Sequence, residues 1–149
     1  MNVTLREITM NNFRECIDLK VGPGQENFVA PNIYSLAEAK ADGVSIPLAI
    51  YADDTMVGFV MFNYDEQNFK GYFDRLMIDQ RYQGQGYGRA AAIQVIDRLK
   101  NMPGIREIQI SFAPENIPAD MLYTSIGFVK TGQFLPPPHE EAIAILKTA

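Results

Sequence analysis

The chain has 149 residues, enough for one domain with a sizeable core, and its 47% hydrophobic and 21% charged residues are ordinary globular usage. A net charge of −5 argues against a nucleic-acid partner, because such binding rests on Lys and Arg neutralising phosphates, whereas a cationic partner is easy to accommodate. Cys16 is the sole cysteine and His139 the sole histidine, which excludes an internal disulfide and a Cys/His cluster, so no metal is expected.

Asn2 to Ile8 alternates as a short strand, and Phe13, Cys16, Ile17 and Val21 recur at helical spacing behind the cap-like Asn11-Asn12. Gly22-Pro23-Gly24 ends that helix, and Ser35-Leu36-Ala37-Glu38 has the spacing of a capping box opening a second. The segment between them reads as a substrate loop. Ile46 to Ala52 and Met56 to Tyr64 are β-rich runs joined as a hairpin through Asp53-Asp54-Thr55, and Tyr72 to Asp79 pairs next. A helix to Lys100 follows the glycine-rich stretch after Asp79. Then come a strand from Ile105 to Phe112, a helix through Asp120 to Ser125, and strands around Phe128 to Phe134 and Ala142 to Lys147. No apolar run reaches the ~18 residues of a membrane span, and Met1-Asn2-Val3-Thr4 does not open a secretory leader. A soluble, cytoplasmic protein without a membrane partner is expected.

Arg81-Tyr82-Gln83-Gly84-Gln85-Gly86-Tyr87-Gly88-Arg89 joins a strand to a helix. Glycine removes the Cβ that keeps a ligand off the backbone, and a helix start carries unpaired N–H groups and a positive dipole end. The junction is therefore suited to a phosphate group. Its G-x-G-x-G spacing brings the third glycine too early for a dinucleotide fold, no Gly-Lys-Ser/Thr follows, and the next strand ends Gln109-Ile110-Ser111-Phe112 without an acid for a ribose. Three glycines also exceed what a tight turn requires.

Arg81-x-x-Gly84-x-Gly86 resembles the Q/R-x-x-G-x-G/A motif of the GNAT acetyltransferases. Asn116 to Phe128 is similar to that family's N-x-x-A-x-x-L-Y-x-x-x-G-F segment. Gln25 to Asn32, Ser35 to Ala39 and Phe73 to Asp79 together resemble the bacterial spermine/spermidine (diamine) acetyltransferases within it. The resemblance implies an α/β fold with a mixed, mostly antiparallel sheet flanked by helices. It implies acetyl-CoA as co-substrate and transfer of its acetyl group to a primary amine of a polyamine. It also implies that the amides of Gln83, Gly84, Gln85, Gly86, Tyr87, Gly88 and Arg89 meet the pyrophosphate, while Leu76, Met77 and Ile78 run along the pantetheine arm and Asn116 reaches its side. Arg81 and Arg89 read as phosphate neighbours or as solvated charges. A different acceptor (an aminoglycoside, a protein N-terminus or a lysine) and a non-catalytic acyl-CoA-binding module are the rival readings. A homodimer is one assembly open to the chain.

Tyr123 holds the position of the family's usual tyrosine, where a phenol protonates the departing thiolate; packing among Met121, Leu122 and Ile126 is its other reading. An ammonium with a pKa near ~10.4 must lose a proton before it attacks a thioester, so a carboxylate at the amine is expected. Asp74, on the strand beside the expected acetyl group, and Glu26, in the substrate loop, are the candidates. Either reading stands against a plain ion pair of Asp74 with Arg75 or Arg81 and a solvated Glu26. Cys16 lies in an apolar helical stripe away from the histidine and reads as a buried structural thiol.

Overall fold

In the computed structural model, which describes residues 2–148, the elements run β1 (Val3–Glu7), α1 (Phe13–Asp18), α2 (Asn32–Asp42), β2 (Ile46–Ala52), β3 (Thr55–Asp65), β4 (Lys70–Ile78), a 3-10 turn (Gln80–Tyr82), α3 (Tyr87–Lys100), β5 (Glu107–Phe112), α4 (Ile117–Ile126), β6 (Val129–Phe134) and β7 (Ala142–Lys147). The strands make a seven-stranded sheet in the order β1-β2-β3-β4-β5-β7-β6. Every neighbouring pair is antiparallel except β4–β5. The mixed, mostly antiparallel sheet with flanking helices is the fold expected from the sequence.

Period-two alternation sorts the side chains into two cores. β2 sends Leu48 and Ile50 to one face, where Ala91, Ala92, Val95, Ile96 and Leu99 of α3 and Tyr123 of α4 cover them. It sends Ala49 and Tyr51 to the other, beneath Cys16 of α1 and Leu36 and Ala39 of α2. With six residues, α1 is too short to persist unaided, and the burial of Cys16 at 0% exposure anchors it.

Both N-terminal helices differ from expectation. α1 stops at Asp18 rather than near Val21, because the buried Asp79 carboxylate takes the Lys20 N–H at 3.0 Å and Lys20 O accepts from Gln80 N–H at 2.7 Å, which draws Leu19 into extended backbone. α2 begins at Asn32 behind Pro31, so Ser35 is not its cap. The i, i+3 spacing of Ser35 and Glu38 serves another purpose, since both accept from Arg75 Nη1, at 3.0 and 2.9 Å.

Two irregularities in β4 shape the site. Met61 pairs with Arg75 and Phe62 with Phe73, which leaves Asp74 as the extra residue of a bulge. Phe73 and Leu76, three apart, consequently share the α3 face, while Met77 joins the α2 face and Arg75 reaches the side chains of α2. Beyond the bulge the sheet splits. β4 pairs with β5 only through Lys70, Gly71 and Tyr72 against Glu107, Ile108 and Gln109, although β5 stays paired to β7 as far as Phe112. From Phe73 onward the β4 edge faces a slot.

Candidate active site

At the α3 end of the slot, Ile78 leads through Asp79 into the glycine turn. Asp79 is 3% exposed and organises it, accepting from Arg81 N–H at 3.0 Å, Arg81 Nε at 2.8 Å and Lys20 N–H at 3.0 Å. Burial alone would push its pKa up, but these donors outweigh it and hold the carboxyl below the ordinary carboxylate range. Gly84 and Gly86 have φ of 80° and 86°, so the turn itself needs two of the three glycines. Gly88 sits in the first turn of α3, where an added Cβ would rest 3.6 Å from Ile78 Cγ1, an ordinary contact. The third glycine is therefore not required by the turn.

A groove runs from this turn along β4 to the start of α4. Leu76, Met77, Ile78, Gln83, Gly84, Gly86, Tyr87, Gly88, Arg89 and Asn116 line it, together with Phe28, Val29, Tyr82 and Leu122. α3 starts at the groove without a side-chain cap, and a Cβ at Gly84 would meet nothing within 4 Å. The donor set suits an anionic ligand laid against the backbone. α4 differs, since the Asn116 amide oxygen caps it by accepting from Ala119 N–H at 3.3 Å. Arg89 lies on the groove and donates to Ser125 Oγ at 2.6 Å.

The slot opens into a second recess on the α2 side. Tyr123 enters from the α3 face, its ring held by Phe73 and Phe128 edge-on at 6.0 and 5.7 Å and by Phe112 stacked at 6.1 Å. The residue is 8% exposed, and its hydroxyl has no hydrogen-bond partner among the described residues yet is not sealed in, so it opens on the recess. Burial raises its pKa, which keeps the phenol protonated well past neutrality. Asn116, seven residues earlier, lines both the groove and the recess.

On the α2 side the recess is acidic. Asp74, Glu38, Asp42 and Glu141 line it, with Ser111 and His139. Glu38 is paired to Arg75 at 2.9 Å. Asp74 instead accepts from Asn63 Nδ2 and forms no ion pair among the described residues. Its side chain reaches solvent, but the recess strips water from its flanks and raises its pKa; Arg75 and Asn63 oppose the rise, and Glu38 and Asp42 add to it.

Three of the expected site residues stand off these linings. Glu26 does not reach the recess, because its carboxylate folds back to accept from Gly24 N–H at 2.9 Å. Arg81 turns to Asp79 and stands off the groove lining. Gln85, between the two left-handed glycines, is exposed to solvent and does not line the groove either. The sequence reading missed Glu38, Asp42, Ser111, His139 and Glu141. Of these only Glu38 leaves a trace in the sequence, through its spacing from Ser35, which predicts a capping box rather than a shared contact with Arg75.

The site thus presents a groove suited to an anionic ligand that adjoins an acidic recess, the two sharing Phe28, Val29, Leu76 and Asn116, with the Tyr123 phenol on the recess. The profile of the Acetyltransferase (GNAT) family matches residues 8–128. The chain belongs to the acetyltransferase (GNAT) family. This GNAT protein is an acyltransferase by membership. It is 31% identical over 139 residues to spermine/spermidine N(1)-acetyltransferase of Bacillus subtilis (strain 168), covering 89% of this chain and 91% of that one. A probable spermine N(1)-acetyltransferase of Bacillus subtilis subsp. natto (strain BEST195) is 30% identical over the same shares. Among solved structures, spermidine N-acetyltransferase from Vibrio cholerae in complex with CoA and spermine superposes with a TM-score of 0.76 at 18% identity, covering 98% of this chain and 95% of that one. The PaiA N-acetyltransferase from Thermoplasma acidophilum in complex with coenzyme A gives 0.72 at 16% identity, covering 99% of each. At such identities the structural likeness is one of fold. No helix among the described residues of this GNAT chain is long and apolar enough to cross a membrane, and no group of three or more His, Cys, Asp or Glu among them is arranged to hold a metal ion.

Proposed function

We propose that this GNAT protein transfers the acetyl group of acetyl-CoA to a primary amine of a polyamine, spermine or spermidine, by direct attack of the amine on the thioester. The observation that carries the reading is the slot itself, with the Tyr123 hydroxyl on one side of the sheet and the Asp74 carboxylate, on its bulge, on the other. The curated relatives' names support the choice of amine.

In this reading the N–H groups at the start of α3 and the glycine turn hold the pyrophosphate, and the free edge of β4 from Leu76 to Ile78 takes the pantetheine amides as an added strand would. The thioester supplies an acyl carbon joined to a good leaving group. Asp74 holds the attacking ammonium and takes its proton, directly or through water, which frees the nitrogen lone pair. The C–N bond forms, the C–S bond breaks, and Tyr123 gives its proton to the departing thiolate. Asp74 sits on a bulge, outside the strand's regular alternation, and lines the recess. No covalent enzyme intermediate is needed, and Cys16, buried beneath α2, is out of reach.

Release of CoA thiol from acetyl-CoA, measured with spermine, spermidine, a monoamine of similar length, a lysine peptide and an aminoglycoside at two salt concentrations, tests the reading. Spermine and spermidine are expected to give the highest kcat/KM, with an advantage that shrinks as salt screens the acidic recess. A preference for the peptide, the aminoglycoside or the monoamine overturns the choice of acceptor. No thiol release with any amine overturns the reading as a whole.

A further inference from the structure

Asp74 has a counterpart across the slot. Glu141 immediately precedes β7, and its Oε1 accepts from Ser111 Oγ of β5 at 2.9 Å. Alternation fixes the side on which both stand. Phe112 and Ala144 pack in the α3 core, and Ala142, buried and paired with Phe112, stands two residues from Ala144 on the same side, so the neighbours Ser111 and Glu141 turn to the opposite face, the one that Asp74 shares with α2. The two carboxylates therefore flank the slot from separate lips, Asp74 on β4 and Glu141 on the β5–β7 leaf, and both line the recess.

Of the acids that line the recess only Glu38 is in an ion pair, while Asp42, Asp74 and Glu141 have no Arg or Lys partner among the described residues. Among the described residues Arg75 is the only Lys or Arg lining the recess, and it is taken up by Glu38 and Ser35. A second observation marks the recess as a ligand site independently of its acids. The Tyr123 hydroxyl, on a residue 8% exposed that lines the recess, has no hydrogen-bond partner among the described residues.

We propose that Glu141, oriented by Ser111, contacts the acceptor from the lip opposite Asp74 and holds the ammonium that is not acetylated. The inference rests on the amine-acetyltransferase reading and deepens it, because two carboxylates on facing lips fit an acceptor with two cationic nitrogens. Asp74 serves the nitrogen that reacts, and Glu141 gives the site its preference for a diamine over a monoamine. Ser111 is a positioning residue, acting through Glu141.

Glu141→Gln tests this while keeping the shape of the side chain and an oxygen for the Ser111 hydroxyl. Steady-state kinetics compare 1,8-diaminooctane with octylamine in the wild type, Glu141→Gln and Ser111→Ala. Removing one of the two charges is expected to lower the diamine-to-monoamine ratio of kcat/KM by ~10- to 100-fold, the loss lying in KM for the diamine. Ser111→Ala should shift the ratio the same way by less. Unfolding midpoints of both variants within ~5 °C of the wild type establish that they are folded. A Glu141→Gln protein that keeps the wild-type ratio, or that loses kcat equally with both amines, overturns the inference and leaves the amine reading standing. A wild type that releases no CoA thiol with these two amines, spermine or spermidine overturns the amine reading and this inference with it, and one that accepts spermidine but does not prefer the diamine to octylamine overturns this inference alone.

Discussion

Gln83 and Gln25 exchange hydrogen bonds, Gln83 Nε2 donating to Gln25 Oε1 at 2.9 Å and Gln25 Nε2 to Gln83 Oε1 at 3.3 Å. The pair clasps the loop after α1 to the glycine turn, and each partner is anchored locally, Gln25 Oε1 by Gly22 N–H at 2.8 Å and Gln83 Nε2 by Ile78 O at 2.9 Å. Gln83→Ala should loosen the distant loop as well as the turn. Amide exchange at Gly22 is expected to speed up ~2- to 10-fold, the scale of one solvent-exposed hydrogen-bonded link. Unchanged exchange there would mean that the clasp carries no coupling.

Gly86 and Gly88 should respond oppositely to a side chain. At Gly86, φ is 86°, so Gly86→Val adds ~1–2 kcal/mol of backbone strain where the cofactor's phosphates are proposed to lie, and acetyl-CoA affinity should be lost. At Gly88 the backbone is helical and the new Cβ would find open space except for Ile78, so Gly88→Ala should keep the affinity within a few-fold. Calorimetric titration checks both, and a folded Gly86→Val protein that binds normally would defeat the placement of the pyrophosphate.

Tyr123→Phe preserves the ring that Phe73, Phe112 and Phe128 hold and removes only the unpartnered hydroxyl. Stability should change by less than ~1 kcal/mol, acetyl-CoA binding little, and kcat should fall ~10- to 10,000-fold, the range of general acid–base catalysis. Burial raises the phenol's pKa, so deprotonation of Tyr123 should not produce an alkaline fall in rate between pH 7 and 9, whatever other groups do. Full kcat in the variant at saturating substrates rules out an essential acid.

Asp74→Asn separates activity from stability. Its raised pKa means that the folded state holds its proton more tightly than the unfolded chain does, so the stability it contributes is complete below the unfolded value and is lost as pH rises through the folded one, leaving the ionised group opposed to folding at neutral pH. Neutral Asn can still accept from Asn63 Nδ2. The variant should therefore unfold at the same temperature as the wild type or higher, while kcat/KM for spermidine falls at least ~10-fold. Equal spermidine kinetics would remove Asp74 from the reaction.

The Cys16 thiol tests the α1 contact. Burial raises its pKa from 9.0 to about 11, and the Asn32 hydrogen bond only partly offsets this. A thiol that keeps its proton longer in the folded state contributes stability that is complete below the unfolded value and is lost as pH rises toward about 11. Urea unfolding at pH 8 and pH 10 should show a smaller loss of stability in Cys16→Ala than in the wild type, with kcat within ~2-fold of it. An identical loss in both would mean that Cys16 does not titrate on unfolding.

The glycine turn was legible in the sequence because its geometry demands residue types that few other sites need, and Asp74 was legible because it lies within four residues of the segment read along the cofactor. Helix limits near Lys20 and Pro31 were not, since a carboxylate nearly sixty residues away, Asp79, decides where α1 ends. Tertiary pairing also overrode local grammar at Ser35, whose hydroxyl meets Arg75 across the α2–β4 contact. Glu38 and Asp42 stand one helical turn apart on α2, but nothing local joins that pair to Asp74 on β4 or to Glu141 just before β7. Glu26 is close in sequence to the expected mouth, yet its carboxylate bonds its own loop at Gly24 and the recess lining is built without it.

The seam between β4 and β5 also bears on how the chain folds. β2, β3 and β4 follow one another as hairpins, so their pairing closes only short loops. β5 must instead be brought to β4 across the whole of α3, onto a ladder of three residue pairs. Leu99 of α3 packs at that same place, 3.1 Å from where a Gly71 Cβ would stand. The late step in folding is then expected to be the docking of the β5–β7 leaf at this single seam, guided by α3. Residues at the seam should govern the folding rate, whereas those on the open lips, having no partner strand to find, are free to vary with the chemistry.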